Sequence, residues 1–420
     1  MTSTPAVAAG RTTGGHPGPD SRRARSIVAA LAITQTVGYG TLYYAFAVFL
    51  TPLAADLHTT TTAVTGTFTA SVLVSALLAV PVGRWLDRHG GRALMTAGSA
   101  GGVLLLLAWS QVHRLWQLYA VQAGIGVVAA ASLYEAAFAV IIAWHTPQRR
   151  APALLALTVV AGFASTIFLP LTGWLVDHHG WRNALLTLAL IQAVLTVPLH
   201  AVVVRAAPHA APTTAEDAPE PIRLRTVLAD RGFWLLAIGF TANTAAIAVI
   251  TVHLVAALVT WGHPATFAAT TAGLFGVLSV TGRLATTGLQ RRYRTTTVVA
   301  AVFVVQAVAA LSLPLFGRNS VAAVIGVIGF GLGFGVATIA KPVLLADRYD
   351  TSRYATVAGI LVVPMTLAKA AAPLAGAALH TATGAYTSVF AAVAAGCATA
   401  AAAITAFAAR KTRVPPASRT

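Results

Sequence analysis

The sequence contains few charged residues. Only 9% of its 420 residues are Asp, Glu, Lys or Arg, whereas 57% are hydrophobic. A water-soluble domain of this length needs far more charge to cover its surface. The apolar residues also form long runs, each able to cross a hydrocarbon core about 30 Å thick. This composition excludes a soluble protein and predicts helices that are surrounded by membrane lipid.

Cysteine and acidic residues are also scarce. Cys397 is the single cysteine, so an internal disulfide is excluded. Against 28 Lys and Arg there are only 11 Asp and Glu, giving a formal net charge of +17. The basic residues lie in short loops rather than in a polar domain with interleaved aromatic residues, so we expect no nucleic-acid partner. A phosphate-binding G-x-x-x-x-G-K-[ST] loop is missing, so ATP does not drive this chain and no cofactor is expected.

Apolar runs bounded by charged or turn-forming residues predict an all-α membrane protein with twelve transmembrane helices in two six-helix bundles. The predicted helices are 26–50, 62–86, 93–110, 116–144, 151–176, 183–204, 233–258, 266–290, 295–316, 320–346, 354–380 and 385–409. The longest internal polar stretch separates the first six from the last six. This arrangement predicts two parallel halves with a substrate site between them.

The same pattern gives the domain boundaries. We predict a disordered tail at 1–25, bundles at 26–204 and 233–409, a linker at 205–232 and a second tail at 410–420. Both tails and the linker are predicted to be cytoplasmic, and the chain is expected to act as a monomer in the cell membrane.

The loop charges predict this orientation. On the side of the predicted tails and linker there are 22 Lys and Arg residues, whereas the opposite side has only Arg114, Arg182 and Arg318. Short cytoplasmic loops carry an excess of Lys and Arg, so the tails and the linker are assigned to the cytoplasm. An error of one helix would destroy this alternation, which therefore also supports the count of twelve.

A loop motif stands between predicted helices 2 and 3, at Gly83-Arg84-Trp85-Leu86-Asp87-Arg88-His89-Gly90-Gly91-Arg92. It resembles the G-x-x-x-D-R-x-G-R signature of the major facilitator superfamily. We expect Gly83 to allow a helix of the other half to approach, and Asp87 to face a helix N-terminus or an arginine. Arg88 and Arg92 are expected to hold the loop on the cytoplasmic side. The second half has only a degenerate copy at 288–292, so this latch is predicted to be asymmetric.

The resemblance to this superfamily covers the chain from Ser26 to Arg410. Helix 1, with Gly38-Tyr39-Gly40 and Tyr43-Tyr44, is similar to that of the oxalate/formate and monocarboxylate branch. A basic residue in each of helices 8 and 11, here Arg283 and Lys369, is a second similarity. The resemblance implies secondary transport by alternating access.

Four ionisable residues lie inside predicted helices: Glu135, Arg283, Lys341 and Lys369. Each costs about 2.5–3.5 kcal/mol at a helix centre, so each requires a reason. Arg283 and Lys341 lie close enough to helix ends to snorkel, or Lys341 to pair locally. Glu135 has three possible roles: a gating pair with Lys341, a carrier of the coupling proton, or a structural carboxyl bonded to Arg283. One acid gives no catalytic cluster and no metal site, so an enzyme is not expected.

The polar residues of helix 1 complete the predicted site. Gln35, Tyr39 and Tyr43 repeat every four residues and therefore share one face, which we expect to line the cavity. Tyr134, the residue before Glu135, is added to the predicted substrate-binding residues, together with Arg283 and Lys369. The predicted substrate is a small organic anion, a mono- or dicarboxylate, moved by proton symport or by anion exchange. The alternative is proton-coupled efflux of drugs or metalloid oxyanions by the same fold.

Overall fold

The computed structural model describes residues 19–205 and 224–411. Within these residues every regular element is helical. The membrane-crossing segments, numbered in chain order, are α1 Arg22–Asp56, α2 Thr61–His89, α3 Arg92–Ser110, α4 Leu115–Trp144, α5 147–179, α6 181–203, α7 Arg231–Thr260, α8 Ala265–Leu289, α9 Thr295–Phe316, α10 Ser320–Arg348, α11 Asp350–Thr383 and α12 Tyr386–Lys411.

The predicted all-helical membrane fold is confirmed. By length and composition, 10 helices in the described residues can cross a membrane, and one of these, Pro147–Val203, holds both α5 and α6. The two crossings turn at Gly180, whose φ of 76° is a conformation that glycine adopts without strain. At 25 residues, α8 is also long enough to cross.

The start of α1 differs from the prediction. The helix begins at Pro19 rather than at residue 26. Proline is favoured in the first turn of a helix, and Arg22, Arg23 and Arg25 are exposed on the added turns. The remainder of the predicted tails and most of the predicted linker lie outside the described residues. From the linker the structure describes a short helix at Leu224–Ala229.

Each half packs mainly within itself. In the first half α1 contacts α5 and α2 contacts α4, and in the second half α12 contacts both α7 and α9. Contacts between the halves involve fewer helices: α2 and α4 pack on α11, and α5 packs on α8 and α10. We call the side that carries both chain ends the terminal face, and the other side the open face.

The hydrophobic core differs between the two faces. Near the terminal face one continuous core joins the halves, with Leu154 and Ile141 from the first half and Leu345 and Leu361 from the second. Near the open face each half has a core of its own, one built from residues 37–189 and the other from residues 246–397. The halves therefore meet at the terminal face and separate towards the open face.

The burial of α11 gives the same result. Residues 354–361 are all buried, whereas among residues 362–383 only Gly376 is buried. Because the two halves have separate cores at that level, we infer that this part of α11 borders a cavity. This cavity lies between the halves and opens on the open face.

Candidate functional site

Several helices are interrupted at the level of the cavity. A π-helical turn occupies Gly40–Tyr44 in α1, and α4 breaks at Leu133, whose φ and ψ are −88° and −159°. Likewise α10 is non-helical at 332–335, between its segments Ser320–Gly331 and Val336–Arg348. Such interruptions at membrane depth are tolerated where they line a cavity or are buried in protein, and π-turns are frequent at functional sites.

These breaks position four tyrosines, which we call the tyrosine wall: Tyr39, Tyr43, Tyr44 and Tyr134. The ring centroids of Tyr39 and Tyr134 are 4.5 Å apart, and those of Tyr43 and Tyr44 are 5.3 Å apart. Phe68 of α2 continues the wall, with its ring centroid 4.9 Å from that of Tyr43. All four tyrosines are half-buried.

Two cations of the second half face this wall. The Nζ atom of Lys369 lies 5.9 Å from the ring centroid of Tyr43, within range of a cation–π contact. Arg283 reaches α5, where its Nη1 donates a hydrogen bond of 2.9 Å to the carbonyl oxygen of Thr158. Tyr134 and Tyr44 lie in the neighbourhood of Arg283. The structure thus brings both predicted cations to the predicted tyrosines of the other half.

Arg283 retains an unused donor. Among the described residues its buried Nε atom has no hydrogen-bond partner. Gly335, in the break of α10, leaves room for this side chain, because a Cβ there would lie 2.5 Å from Nε. A buried N–H without a partner is costly, and it identifies a position where a ligand oxygen would be favoured.

Glu135 and Lys341 form an ion pair across the two halves. Lys341 Nζ lies 2.6 Å from Glu135 Oε1, which corresponds to the first of the three predicted roles for Glu135. Glu135 lies in the first turn of the second segment of α4, where the helix dipole favours a carboxylate. Its second oxygen, Oε2, is buried without a partner among the described residues. Arg283 bonds to Thr158, so the predicted bond between Glu135 and Arg283 is not formed here.

Asp87 and Gly83 contact α11 at the terminal face. The backbone N–H groups of Ala355 and Thr356 donate to Asp87 Oδ1 and Oδ2 at 2.9 and 2.8 Å. A Cβ on Gly83 would lie 2.2 Å from the carbonyl oxygen of Ala355. Conversely, a Cβ on Gly359 would lie 2.2 Å from the carbonyl oxygen of Ala79. The close approach and the capped amides match the expected geometry, and the gating role of these residues stays a prediction.

The arginines of the motif do not cross between the halves. Arg88 is exposed at the terminal face. Arg92 is also exposed, and its Nε donates a 2.8 Å hydrogen bond to the carbonyl oxygen of Ala201, at the end of α6. This bond ties α3 to α6 within the first half, so Arg92 supports its own bundle.

Gln35 is enclosed within the first half in this state, and its role in substrate binding stays a prediction. Its side chain is 0% exposed, and its Nε2 donates a 2.8 Å hydrogen bond to the carbonyl oxygen of Ser132. The break at Leu133 leaves this carbonyl without its helical partner, and the glutamine supplies one. Because four residues of an α-helix rotate slightly more than one full turn, the stripe from Gln35 to Tyr43 moves gradually from the bundle core to the cavity.

Sequence reasoning did not find two further contacts at the terminal face. Arg150 lies 3.8 Å from Asp347, and this pair links the start of α5 to the end of α10. Asp230 accepts hydrogen bonds from Arg348 at 2.8 and 3.2 Å and from the hydroxyl of Tyr349. Burial acts to raise the pKa of Asp230, but the hydrogen bonds from Arg348, Tyr349 and the Gly232 amide outweigh it and lower that pKa.

No group of three or more His, Cys, Asp or Glu side chains that could hold a metal ion occurs in the described residues. The chemistry of the cavity is therefore that of tyrosines, two cations and one internal ion pair. Such a site can bind and release a solute.

Comparison with known proteins agrees with this geometry. A family model described as the Major Facilitator Superfamily matches residues 31–373, most of the chain. The chain therefore belongs to the major facilitator superfamily. This superfamily is one of membrane transporters rather than enzymes, and the comparisons do not single out the oxalate/formate and monocarboxylate branch.

Three similar proteins illustrate this membership. A protein of Mycolicibacterium smegmatis named an MFS-type efflux pump is 30% identical over 200 residues, which are 46% of this chain and 46% of that protein. A bacterial homologue of the iron transporter ferroportin, solved in an outward-facing state, has a TM-score of 0.75 at 16% identity, covering 93% of this chain and 100% of its own. The fucose:proton symporter of E. coli has a TM-score of 0.73 at 12% identity, covering 91% and 97%. The two structures show a shared fold.

Proposed function

We propose that this protein is a secondary active transporter of an organic anion, a mono- or dicarboxylate, working by alternating access. The proposal rests on the contacts that Arg283 and Lys369 make. Within the described residues neither forms an ion pair: Arg283 contacts a carbonyl oxygen and Lys369 an aromatic ring. Glu135, the acid among the four ionisable residues inside the predicted helices, is already paired with Lys341. The cavity therefore carries an excess of positive charge.

An anion would relieve this excess. Two like charges in a poorly solvated cavity repel each other, and a carboxylate between them replaces repulsion with attraction. The guanidinium of Arg283 can grip a carboxylate with two parallel hydrogen bonds, and its unpartnered Nε is one of the donors required. Because the two cations belong to α8 and α11 and the tyrosine wall to α1 and α4, a bound anion would draw the halves together. Occupancy would thus favour closure of the open face.

The orientation and coupling belong to the same proposal. The basic loops support a cytoplasmic terminal face in the cell membrane, so that the cavity of this state faces outwards. Protonation of Glu135 would remove the charge that holds Lys341 and would weaken the contact between the halves. Proton symport is therefore compatible with this pair, as is exchange of one anion for another.

The anion assignment is tested by binding measurements on purified protein. A thermal-shift screen of carboxylates, metalloid oxyanions and cationic drugs identifies the ligand, since a bound ligand raises stability by mass action. We expect Arg283→Gln and Lys369→Gln to weaken carboxylate binding about 10- to 150-fold, the loss of about 1.5–3 kcal/mol for a charge-assisted hydrogen bond. Arg283→Lys should also bind poorly because it lacks the bidentate fork, whereas Lys369→Arg should bind well. Arg291→Gln, at an exposed arginine of the terminal face, is the matched control and should be unchanged.

Efflux is the second candidate, favoured by the relative named as an efflux pump. The cavity does not favour a cationic drug, because its acid is used by Lys341. Transport in right-side-out and inverted vesicles separates import from export. Binding of cationic drugs with unchanged affinity in the Arg283→Gln variant would replace the anion proposal.

A further inference from the structure

The two walls of the cavity differ in chemistry and face each other. The first half presents the tyrosine wall, and the second half presents Arg283 and Lys369. We propose that the substrate is an aromatic carboxylate, with its ring against the tyrosine wall and its carboxylate at the two cations. This inference rests on the proposed function and narrows its substrate class.

The exposure of the tyrosines distinguishes them from packing residues. Two aromatic side chains that pack inside the first half are fully enclosed: Phe49 and Trp109 are each 0% exposed, and their ring centroids are 5.4 Å apart. The four residues of the tyrosine wall, in contrast, are only half-buried. Aromatic side chains that only join helices need no exposed surface. Part of the wall is therefore available to a ligand ring.

The wall is also continuous enough to hold a ring. Tyr39 and Tyr134 lie 4.5 Å apart with their planes at 46°, and Tyr134 stacks on Phe138 at 5.1 Å. Tyr43 contacts Phe68 nearly edge to face. Rings in this range prefer offset-stacked or edge-to-face neighbours, and an additional ring can satisfy the same geometry. Phe138 is buried behind Tyr134 and holds it in place.

The cations come from the second half and lie near the tyrosine wall of the first half. Lys369 projects over the ring of Tyr43, and Arg283 lies in the neighbourhood of Tyr134 and Tyr44. A ligand that bridges the cavity therefore meets rings on one side and positive charge on the other. A small aliphatic dicarboxylate would satisfy the cations but leave the tyrosine wall in contact with water. A benzoate-like anion satisfies both walls.

The test compares ligands of matched size on the full chain in detergent. Isothermal titration calorimetry is run with benzoate, with cyclohexanecarboxylate, which has the same acid on a saturated ring, and with benzamide, which is uncharged. We expect benzoate to bind about 2- to 12-fold more tightly than cyclohexanecarboxylate, the range of an aromatic pair beyond its buried area. Benzamide should bind far more weakly than either carboxylate.

Variants of the wall connect this preference to the tyrosines. Tyr134→Leu should reduce the benzoate preference to less than 2-fold, whereas Tyr134→Phe keeps the ring and should retain it. Tyr43→Leu provides a second position if Tyr134→Leu does not fold, and Tyr119→Leu, on the outer surface of α4, should change nothing.

Equal binding of benzoate and cyclohexanecarboxylate by the native chain would overturn the aromatic class while leaving the anion assignment intact. A preference that survives in both Tyr134→Leu and Tyr43→Leu would also overturn it. If neither carboxylate bound and benzamide did, the proposed function itself would fail.

Discussion

Removal of either partner of the Glu135–Lys341 pair should shift the transporter away from the state that is closed at the terminal face. Nζ and Oε1 are 2.6 Å apart, and the Lys341 side chain is only 6% exposed. Loss of one partner of a buried ion pair costs about 3–5 kcal/mol, because the other charge is left unpaired. The Glu135 side chain is 31% exposed, so solvent screens the pair and we expect about 2–3 kcal/mol.

This energy applies only to the closed state, since the pair separates when the terminal face opens. At about 1.4 kcal/mol for each factor of ten, the ratio of closed to open molecules should fall roughly 30- to 150-fold in Glu135→Gln or Lys341→Gln. The double variant leaves no unpaired charge and should be milder than either single change. A double-mutant cycle on this ratio isolates the interaction of the two side chains.

Pulsed electron paramagnetic resonance measures the ratio directly. Nitroxides are placed at His89→Cys and Arg292→Cys, exposed positions of the two halves on the terminal face, in a Cys397→Ser background. The native pair should give one short distance, and each single variant should add a longer one. Spin labels at His113→Cys and Arg318→Cys, on the open face, should move in the opposite sense. Identical distributions in all variants, or additive losses in the double variant, would refute the gating role.

The remaining predictions concern the terminal face and the orientation. Asp87→Asn and Gly83→Val should both impair uptake in proteoliposomes without loss of folded protein. The first removes the acceptor of two α11 amides, and the second places a side chain against α11. Gly173→Val, where a Cβ meets nothing within 4 Å, is the control, and full uptake in both test variants would contradict the latch. Because the pKa of Asp230 is lowered on folding, its stabilisation should be complete above the unfolded pKa of about 4 and disappear as pH falls through the lower folded value. Asp230→Asn should therefore reduce stability by at most about 1 kcal/mol at pH 7, with the difference vanishing in strong acid; a pH-independent difference would contradict this. A phosphatase fused after Arg413 should be inactive, as expected for a cytoplasmic end, and an active fusion would invert the orientation.

The architecture could be predicted from the sequence because it depends on long apolar segments, which are energetically costly to place anywhere but in the membrane. A run of some twenty apolar residues has few alternatives to crossing the membrane. The same reasoning applied to Glu135 and Lys341: intramembrane charges are rare, and equivalent helices place them at similar depth. The Gly83–Asp87 spacing likewise predicts a close contact between α2 and a helix of the other half, because only these two residues are needed to form it.

Local interruptions could not be predicted in this way. Mean hydropathy stays high through both breaks, and the local signs were the polar residues around Leu133 and the glycines at 331, 333 and 335, neither of which fixes a break by itself. The π-turn in α1 adds a residue to one turn and alters which side chains share a face. Contacts such as Arg150 with Asp347, or Phe68 with Tyr43, depend on how the helices pack against one another. A single sequence does not give that packing.

The central claim is that an organic anion crosses the membrane through the cavity between Arg283, Lys369 and the tyrosine wall. Counterflow in proteoliposomes tests it most directly: vesicles loaded with the unlabelled carboxylate that binds most tightly are diluted into the radiolabelled compound. We predict transient accumulation of label by the native protein and by Arg291→Gln, and none by Arg283→Gln or Lys369→Gln. Equal accumulation in all four proteins, or counterflow of an organic cation with no counterflow of any carboxylate, would contradict the claim.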